Sequence, residues 1–291
     1  MKILLFGCDG QLGTHLNEAL PNVAGVEELS GYGINDLNLS HLDRLRQVIN
    51  DEKPNLIINA AAYTAVDKAE SDVELAAKVN AEAPSVMAEV ATILNAGMIH
   101  YSTDYVFDGT ATRPYSEDDI PNPESVYGST KLDGENAVLM HCKNSLVLRT
   151  SWVYSMHGQN FLRTILRLAA ERDELKVVGD QIGAPTTTRA LTDASLKLVQ
   201  YFMLHNGFSE TVSGVYHMTC GGETSWCGFA RAIVSASEYS DTRVLDIPTV
   251  DYPTPAKRPA YTVLSNKKLF DTFGISLPDW EAALIECMQE E

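Results

Sequence analysis

A chain of 291 residues, 45% hydrophobic and 21% charged, is long enough to bury a sizeable core as one large domain or two unequal ones. Its formal charge of −17, without a run of Lys or Arg, excludes a nucleic-acid-binding surface, because neutralising phosphates needs clustered cations. Positive charge is therefore expected only where phosphates bind, on an otherwise solvated acidic surface.

Ile3-Leu4-Leu5-Phe6 is too short for a signal-peptide core, and no later stretch approaches the ~18 apolar residues of a membrane span, so a cytoplasmic protein without membrane partners is expected. Lys2 to Phe6, Asn55 to Asn59, Gly97 to Ser102 and Ser145 to Arg149 read as buried strands. Between them, Ser71 to Asn95 and Tyr127 to Cys142 are long enough for crossover helices. This alternation predicts an α/β fold, a Rossmann-type doubly wound parallel sheet covered on both faces. After Arg149 the spacing loosens, with Pro and Gly turns at Gly183 to Pro185, Gly221-Gly222 and Pro248 to Pro259 and a helix over Thr188 to His205. Residues 1–150 are expected to form the dinucleotide-binding domain, which later segments can rejoin. Residues 151–291 are expected to form mainly a smaller α/β substrate-binding region. The five scattered cysteines lack zinc-site or redox-motif spacing and read as reduced thiols.

Gly7-Cys8-Asp9-Gly10-Gln11-Leu12-Gly13 joins the first strand to a helical pattern. Glycines at Gly7, Gly10 and Gly13 permit a tight turn, close approach of a pyrophosphate and close helix-to-strand packing, while the helix N-terminus offers unpaired N–H groups to the anion. The next stretch, Val26 to Tyr32, leaves NADH against NADPH open. Glu27 or Glu28 can face the ribose or lie on an exposed strand end.

Tyr127 and Lys131 stand four residues apart, on one helix face. A neighbouring ammonium favours a phenolate, which moves the phenol toward proton exchange near neutrality. Taken alone, such a pair also fits an ordinary decorated helix. Upstream, Ser102 and Thr103 place hydroxyls at a strand end, where either can bond a developing alkoxide or cap the strand. Glycine loop, strand-end hydroxyls and Tyr-Lys helix, in that order, point to a ketone reductase.

The motifs Gly7-x-x-Gly10-Gln11-Leu12-Gly13, Asn59 to Glu70, Ser102 to Gly109 and Tyr127-Gly128-x-x-Lys131 resemble the extended short-chain dehydrogenase/reductases. Arg149 to Tyr154, Asn160-Phe161, Asp180 to Thr186, Tyr252 to Pro259 and Leu277 to Trp280 extend the likeness along nearly the whole chain, specifically to the dTDP-4-dehydrorhamnose reductase family. The resemblance implies hydride transfer from NADPH or NADH to C4 of a dTDP-linked 4-keto-6-deoxy sugar, giving dTDP-L-rhamnose. It implies that Tyr127 protonates the C4 oxygen, that Lys131 holds the nicotinamide ribose, and that Thr103 bonds the substrate. Val66, Asp104 and Trp152 are implied sugar-nucleotide contacts, and Gln11, Leu12, Ala61, Ala62 and Thr64 line the cofactor. Asn38 and Leu39 stand where the family has an acidic segment near the adenine. Arg258 is a candidate substrate-phosphate contact, or else steadies its Pro-rich loop.

Some family members hold Mg²⁺ between subunits through glutamates. The comparable positions here are His15 and Arg189, with Glu290 in the acidic tail, so no metal is expected and a homodimer stays open. None of the seven histidines is assigned to catalysis, and Asp67, Lys68 and Glu70 can form a salt network away from ligand. Two other readings compete. One is a reductase or epimerase of a different nucleotide-linked ketosugar, separable only by its substrate pocket. The other is a non-catalytic subunit similar to the β subunit of methionine adenosyltransferase, against which the intact Thr103, Tyr127 and Lys131 speak.

Overall fold

The computed structural model describes residues 1–289. Its centre is a six-stranded parallel sheet. The strands are β1 (Lys2–Phe6), β2 (Glu28–Tyr32), β3 (Leu56–Asn59), β4 (Gly97–Thr103), β5 (Ser145–Thr150) and a late strand, Gly214–His217. From edge to edge they run late strand, β5, β4, β3, β1, β2. Ile3 to Phe6 and Leu56 to Ile58 are wholly buried. Helices cover both faces of such strands, so a continuous apolar run replaces alternation. On one face Leu5, Leu16, Leu198 and Phe202 pack together. On the other, Leu4, Ile49, Met87, Val90 and Val138 do the same.

β2 is an edge strand with a half-exposed pattern, which is why its apolar signal is weak. The expected Ser71 to Asn95 helix is broken into Val73–Ala77, a π-helical turn over Lys78–Glu82, and Ala83–Ile93. Buried Asn80, inside that turn, exchanges hydrogen bonds with the Tyr63 backbone and donates to Thr130 Oγ1 at 3.2 Å. Gly134 lies so close that a Cβ there would stand 2.1 Å from the Asn80 carbonyl. The irregular turn thus fits the Asn80 backbone against the helix Val126–His141, and Pro84 restarts the helix.

A second layer stands beyond the carboxyl edge of β5. Glu174–Val178 pairs in parallel with Arg243–Ile247, and the helices Phe161–Glu171, Trp226–Ser235 and Trp280–Met288 bury Phe229, Ile233, Leu284 and Cys287 between them. The chain re-enters the first layer through Thr188–His205, which packs on the first helix (Gln11–Ala19), and through Gly214–His217 beside β5. The five cysteines form no disulfide with one another, and four of them are buried. Among the described residues, no helix is long and apolar enough to cross a membrane.

Candidate active site

β1 is flanked by β2 on one side and β3 on the other, so a crevice opens where the strand order reverses, at the carboxyl ends of β1 and β3. Gly7 turns the chain there with φ +81°, and a Cβ on it would stand 2.7 Å from the Ala61 amide nitrogen. Gly13 packs against the same turn, where a Cβ would collide with the Gly7 carbonyl. It therefore sets helix-to-strand distance and stands behind the crevice wall. The helix Gln11–Ala19 has no side-chain cap and no acidic residue in its first turn, so its leading N–H groups face the crevice without an internal anion.

The resulting cleft, about 520 Å³, is walled by Gly7, Gly10, Gln11, Leu12, Leu39, Ala61, Ala62, Thr64, Tyr127 and Lys131 among others. The residues named come from four separate stretches of sequence. Bare glycine backbone and an uncapped helix end fit a dinucleotide's pyrophosphate. Gln11 also ties the two layers together: its Oε1 accepts from Asn160 Nδ2 at 2.8 Å, while Asn160 caps the helix Phe161–Glu171.

Tyr127 occupies the first turn of Val126–His141, where Ser125 accepts from the Gly128 amide and Glu70 Oε1 accepts from the Val126 amide at 2.9 Å. Burial holds its phenol above the ordinary value. A hydrogen bond with Thr103 acts the other way, and Asp104 and Tyr105 add to the rise. Lys131 is on the same helix face, but its Nζ turns to the strand and donates to the Tyr101 carbonyl at 2.6 Å, 3.5 Å from His100 Nε2. Burial lowers the ammonium to about 8, with Glu135 opposing. The spacing argument expected the cation to govern the phenol. Desolvation governs it instead, because the ammonium finds a closer acceptor in β4.

The two strand-end hydroxyls separate clearly. Ser102 Oγ, although on the cleft wall, donates to Glu135 Oε1 at 2.5 Å, and Glu135 is held by Arg149. Thr103 accepts from the Tyr105 amide and donates to Asp104 Oδ1 at 3.0 Å. Asp104 is buried and also accepts from Ser151 at 3.0 Å. Burial raises its carboxyl to about 6 against the hydrogen bonds of Thr262, Ser151 and Thr103.

A second cleft, about 560 Å³, lies against the other layer and is lined by Asp67, Phe161, Gln181, Trp226 and three cations, Arg172, Lys176 and Arg258. In a chain of net charge −17, these three cations gather with Asp67 as the one carboxylate on the lining among the described residues. Arg258 has two surroundings. It lines the cleft and anchors its loop, donating to Asp67 Oδ2 at 2.8 Å and to Tyr105 OH at 3.0 Å. The Tyr105 ring in turn meets Tyr127 edge-on, with centroids 5.7 Å apart.

Several candidate site residues stand away from both clefts. Glu27 and Glu28 sit at the amino end of β2, paired with the N-terminus and Lys2, because β2 runs parallel to β1 and carries them away from the ribose. The Asn38 side-chain Oδ1 accepts from Ser40 N and Oγ at 3.0 and 2.9 Å, so Asn38 closes a turn, and of the two only Leu39 is on the wall. Val66 is half-buried and lines neither cleft. Trp152, at φ +46°, stacks on Trp226 at 3.5 Å, and Trp226 is the ring that lines the cleft. Nothing in the sequence spacing singled out Trp226 or His100. Asp67, Lys68 and Glu70 make three separate contacts, with Arg258, Asp72 and the Val126 amide respectively, and Asp67 also lines the second cleft. The His15 ring lies tilted beside that of His157, with centroids 6.1 Å apart, Arg189 is in the first turn of the helix Thr188–His205, and Glu290 lies outside the described residues.

Residues 1–291 match the RmlD substrate binding domain family. A dTDP-4-dehydrorhamnose reductase of Burkholderia thailandensis is 45% identical over 297 residues, which span 100% of this chain and 99% of the relative. The crystal structure of a dTDP-4-dehydrorhamnose reductase from Clostridium acetobutylicum superposes with a TM-score of 0.91 at 39% identity, covering 99% of this chain and 98% of the other. One from Bacillus anthracis, in complex with NADP, gives 0.89 at 33% identity over 99% of both chains. The chain belongs to the RmlD substrate binding domain family, that of the dTDP-4-dehydrorhamnose reductases.

Proposed function

We propose that this protein reduces the C4 ketone of dTDP-4-dehydro-6-deoxy-L-mannose to the alcohol of dTDP-L-rhamnose, using NAD(P)H. The observation that carries the reading is Tyr127, on the wall of the dinucleotide cleft, joined through Tyr105 and Arg258 to a second cleft ringed by cations. When bound, NAD(P)H supplies the hydride. In this reading residues 1–150 with the returning segment around 188–217 hold the cofactor, and most of 151–291 holds the sugar nucleotide. Gly7, Gly10, Gln11 and Leu12 receive the pyrophosphate, Gly13 sets the turn, and Leu39, Ala61, Ala62 and Thr64 flank the rest of the cofactor. Arg258 receives a substrate phosphate, and Trp226, backed by Trp152, offers a flat face to the base.

Tyr127 is the acid. Burial holds its proton at neutral pH, so it is loaded for donation to the oxygen at C4. Thr103 steadies that oxygen and the phenol together. Lys131 holds the nicotinamide ribose, and its charge favours the phenolate that remains after proton transfer. Asp104 orients Thr103 and Ser151. Its reductant and nucleotide-linked substrate are cytoplasmic metabolites, which is where we expect it to act.

Tyr127→Phe tests the assignment. Turnover should fall by about 10²–10⁴-fold, the usual worth of a positioned acid, while NAD(P)H still binds as judged by nicotinamide fluorescence. Turnover within a few-fold of the parent would remove Tyr127 as the proton donor.

A further inference from the structure

Asn59 ends β3 directly opposite His100 in β4, and both side chains are wholly buried. Their hydrogen bonds leave one protonation pattern. Asn59 Oδ1 accepts from the Ala61 amide at 3.2 Å, which fixes the side-chain amide and turns its Nδ2 to His100 Nδ1 at 3.0 Å. An amide nitrogen donates and does not accept, so Nδ1 is the acceptor of that bond. Burial first, and then the charge of Lys131, hold the imidazole well below its ordinary value, so the ring is neutral. Its single proton therefore sits on Nε2.

Nε2 faces Lys131 Nζ at 3.5 Å, against 3.0 Å for the Asn59 contact. An imidazole N–H there meets an ammonium donor against donor. The ammonium gives one hydrogen to the Tyr101 carbonyl at 2.6 Å and finds no lone pair on His100. A neutral amine in the same place has a lone pair of its own, which the Nε2–H can reach. The other groups around Nζ are on the page already. Glu135, one turn along the helix, favours the ammonium, but its charge is shared with Arg149 from β5 and with Ser102. Tyr127, one turn back, keeps its proton and brings no charge. Neither Asn59 nor His100 lines the dinucleotide cleft, so both act through the lysine.

We propose that His100 is a positioning residue: locked by Asn59 as the Nε2–H tautomer, it favours the neutral Lys131 amine and so sets the pH at which the site loses that positive charge. This rests on the part given to Lys131 in the proposed function and adds the pair of side chains that tunes it.

The test uses the full chain without cofactor or sugar nucleotide. Nitrogen-15 NMR of ring-labelled histidine, with His100 identified by its loss in His100→Gln, reads the tautomer. The Lys131 ε-carbon shift, identified by its loss in Lys131→Met, reads the titration of the amine. The wild type should show Nε2–H at His100 and a Lys131 titration at about pH 8. In Asn59→Asp the new carboxylate accepts from Nδ1–H, which moves the ring's lone pair to Nε2, toward the ammonium. The Lys131 titration should then rise by about one pH unit or more. His100→Gln, whose amide oxygen can accept from the ammonium, should move it in the same direction. The alkaline limb of kcat/KM for ketone reduction should move with the titration in both variants, whereas loss of packing alone lowers kcat/KM at every pH and leaves the limb in place. A wild-type His100 protonated on Nδ1, or a Lys131 titration that neither variant moves, overturns the proposal. A titration that moves beneath a level rate profile supports the hold of His100 on Lys131 and removes the part of that charge in turnover, so the two readings fail separately.

Discussion

Lys131 is 1% exposed, and its short bond to the Tyr101 carbonyl is the main compensation for losing water. With its ammonium lowered to about 8, it is charged below that pH and neutral above it. The Tyr127 phenol is shifted the other way and keeps its proton through the same range. Since kcat/KM reports groups of the free enzyme, kcat/KM for ketone reduction should fall as pH rises through about 8, by about tenfold per unit once Lys131 is neutral. A profile level across that range would contradict a role for its charge. The i,i+4 spacing made the shared helix face legible, but neither shift was. Both come first from burial, opposed by Glu135 at Lys131 and by Thr103 at Tyr127, and burial follows from tertiary packing that the spacing does not encode. Asn38 was misplaced because an Asx-type bond to Ser40 two residues on consumes its acceptor.

Between β4, β5 and the helix Val126–His141 lies a wholly buried ion pair. Glu135 accepts from Arg149 Nε at 2.9 Å and Nη2 at 2.6 Å, with side chains 1% and 4% exposed, and Ser102 completes the set. It fixes how the helix bearing Tyr127 sits on the two strands below it. Removing one partner leaves an uncompensated buried charge, so Glu135→Gln should cost about 3–5 kcal/mol in denaturant unfolding. Replacing both with apolar residues, as in Glu135→Leu with Arg149→Met, should recover most of it. A loss below about 1 kcal/mol in the single variant would show that the pair contributes little. At this scale, β1, β3, β4 and β5 were legible to within a residue because two-sided burial writes unbroken apolar runs. β2 was not, being a half-exposed edge, nor was the break at Asn80, which answers to a glycine on another helix.

Over the whole molecule, an acidic chain gathers Arg172, Lys176 and Arg258 at one cleft, and Tyr127, on the wall of the other, is linked to it through Tyr105 and Arg258. The substrate side was the less legible half. Its lining is drawn from side chains far apart in sequence, and the Trp152–Trp226 stack joins a strand-end loop to a distant helix without any local pattern. Binding dinucleotide alone does not separate a reductase from a non-catalytic subunit of similar fold. The decisive measurement is oxidation of NADH and NADPH by the purified protein in the presence of dTDP-4-dehydro-6-deoxy-L-mannose, with the sugar product identified. The account predicts one cofactor oxidised for each dTDP-L-rhamnose formed. Folded protein that binds the cofactor yet leaves both it and the ketosugar unchanged would contradict it.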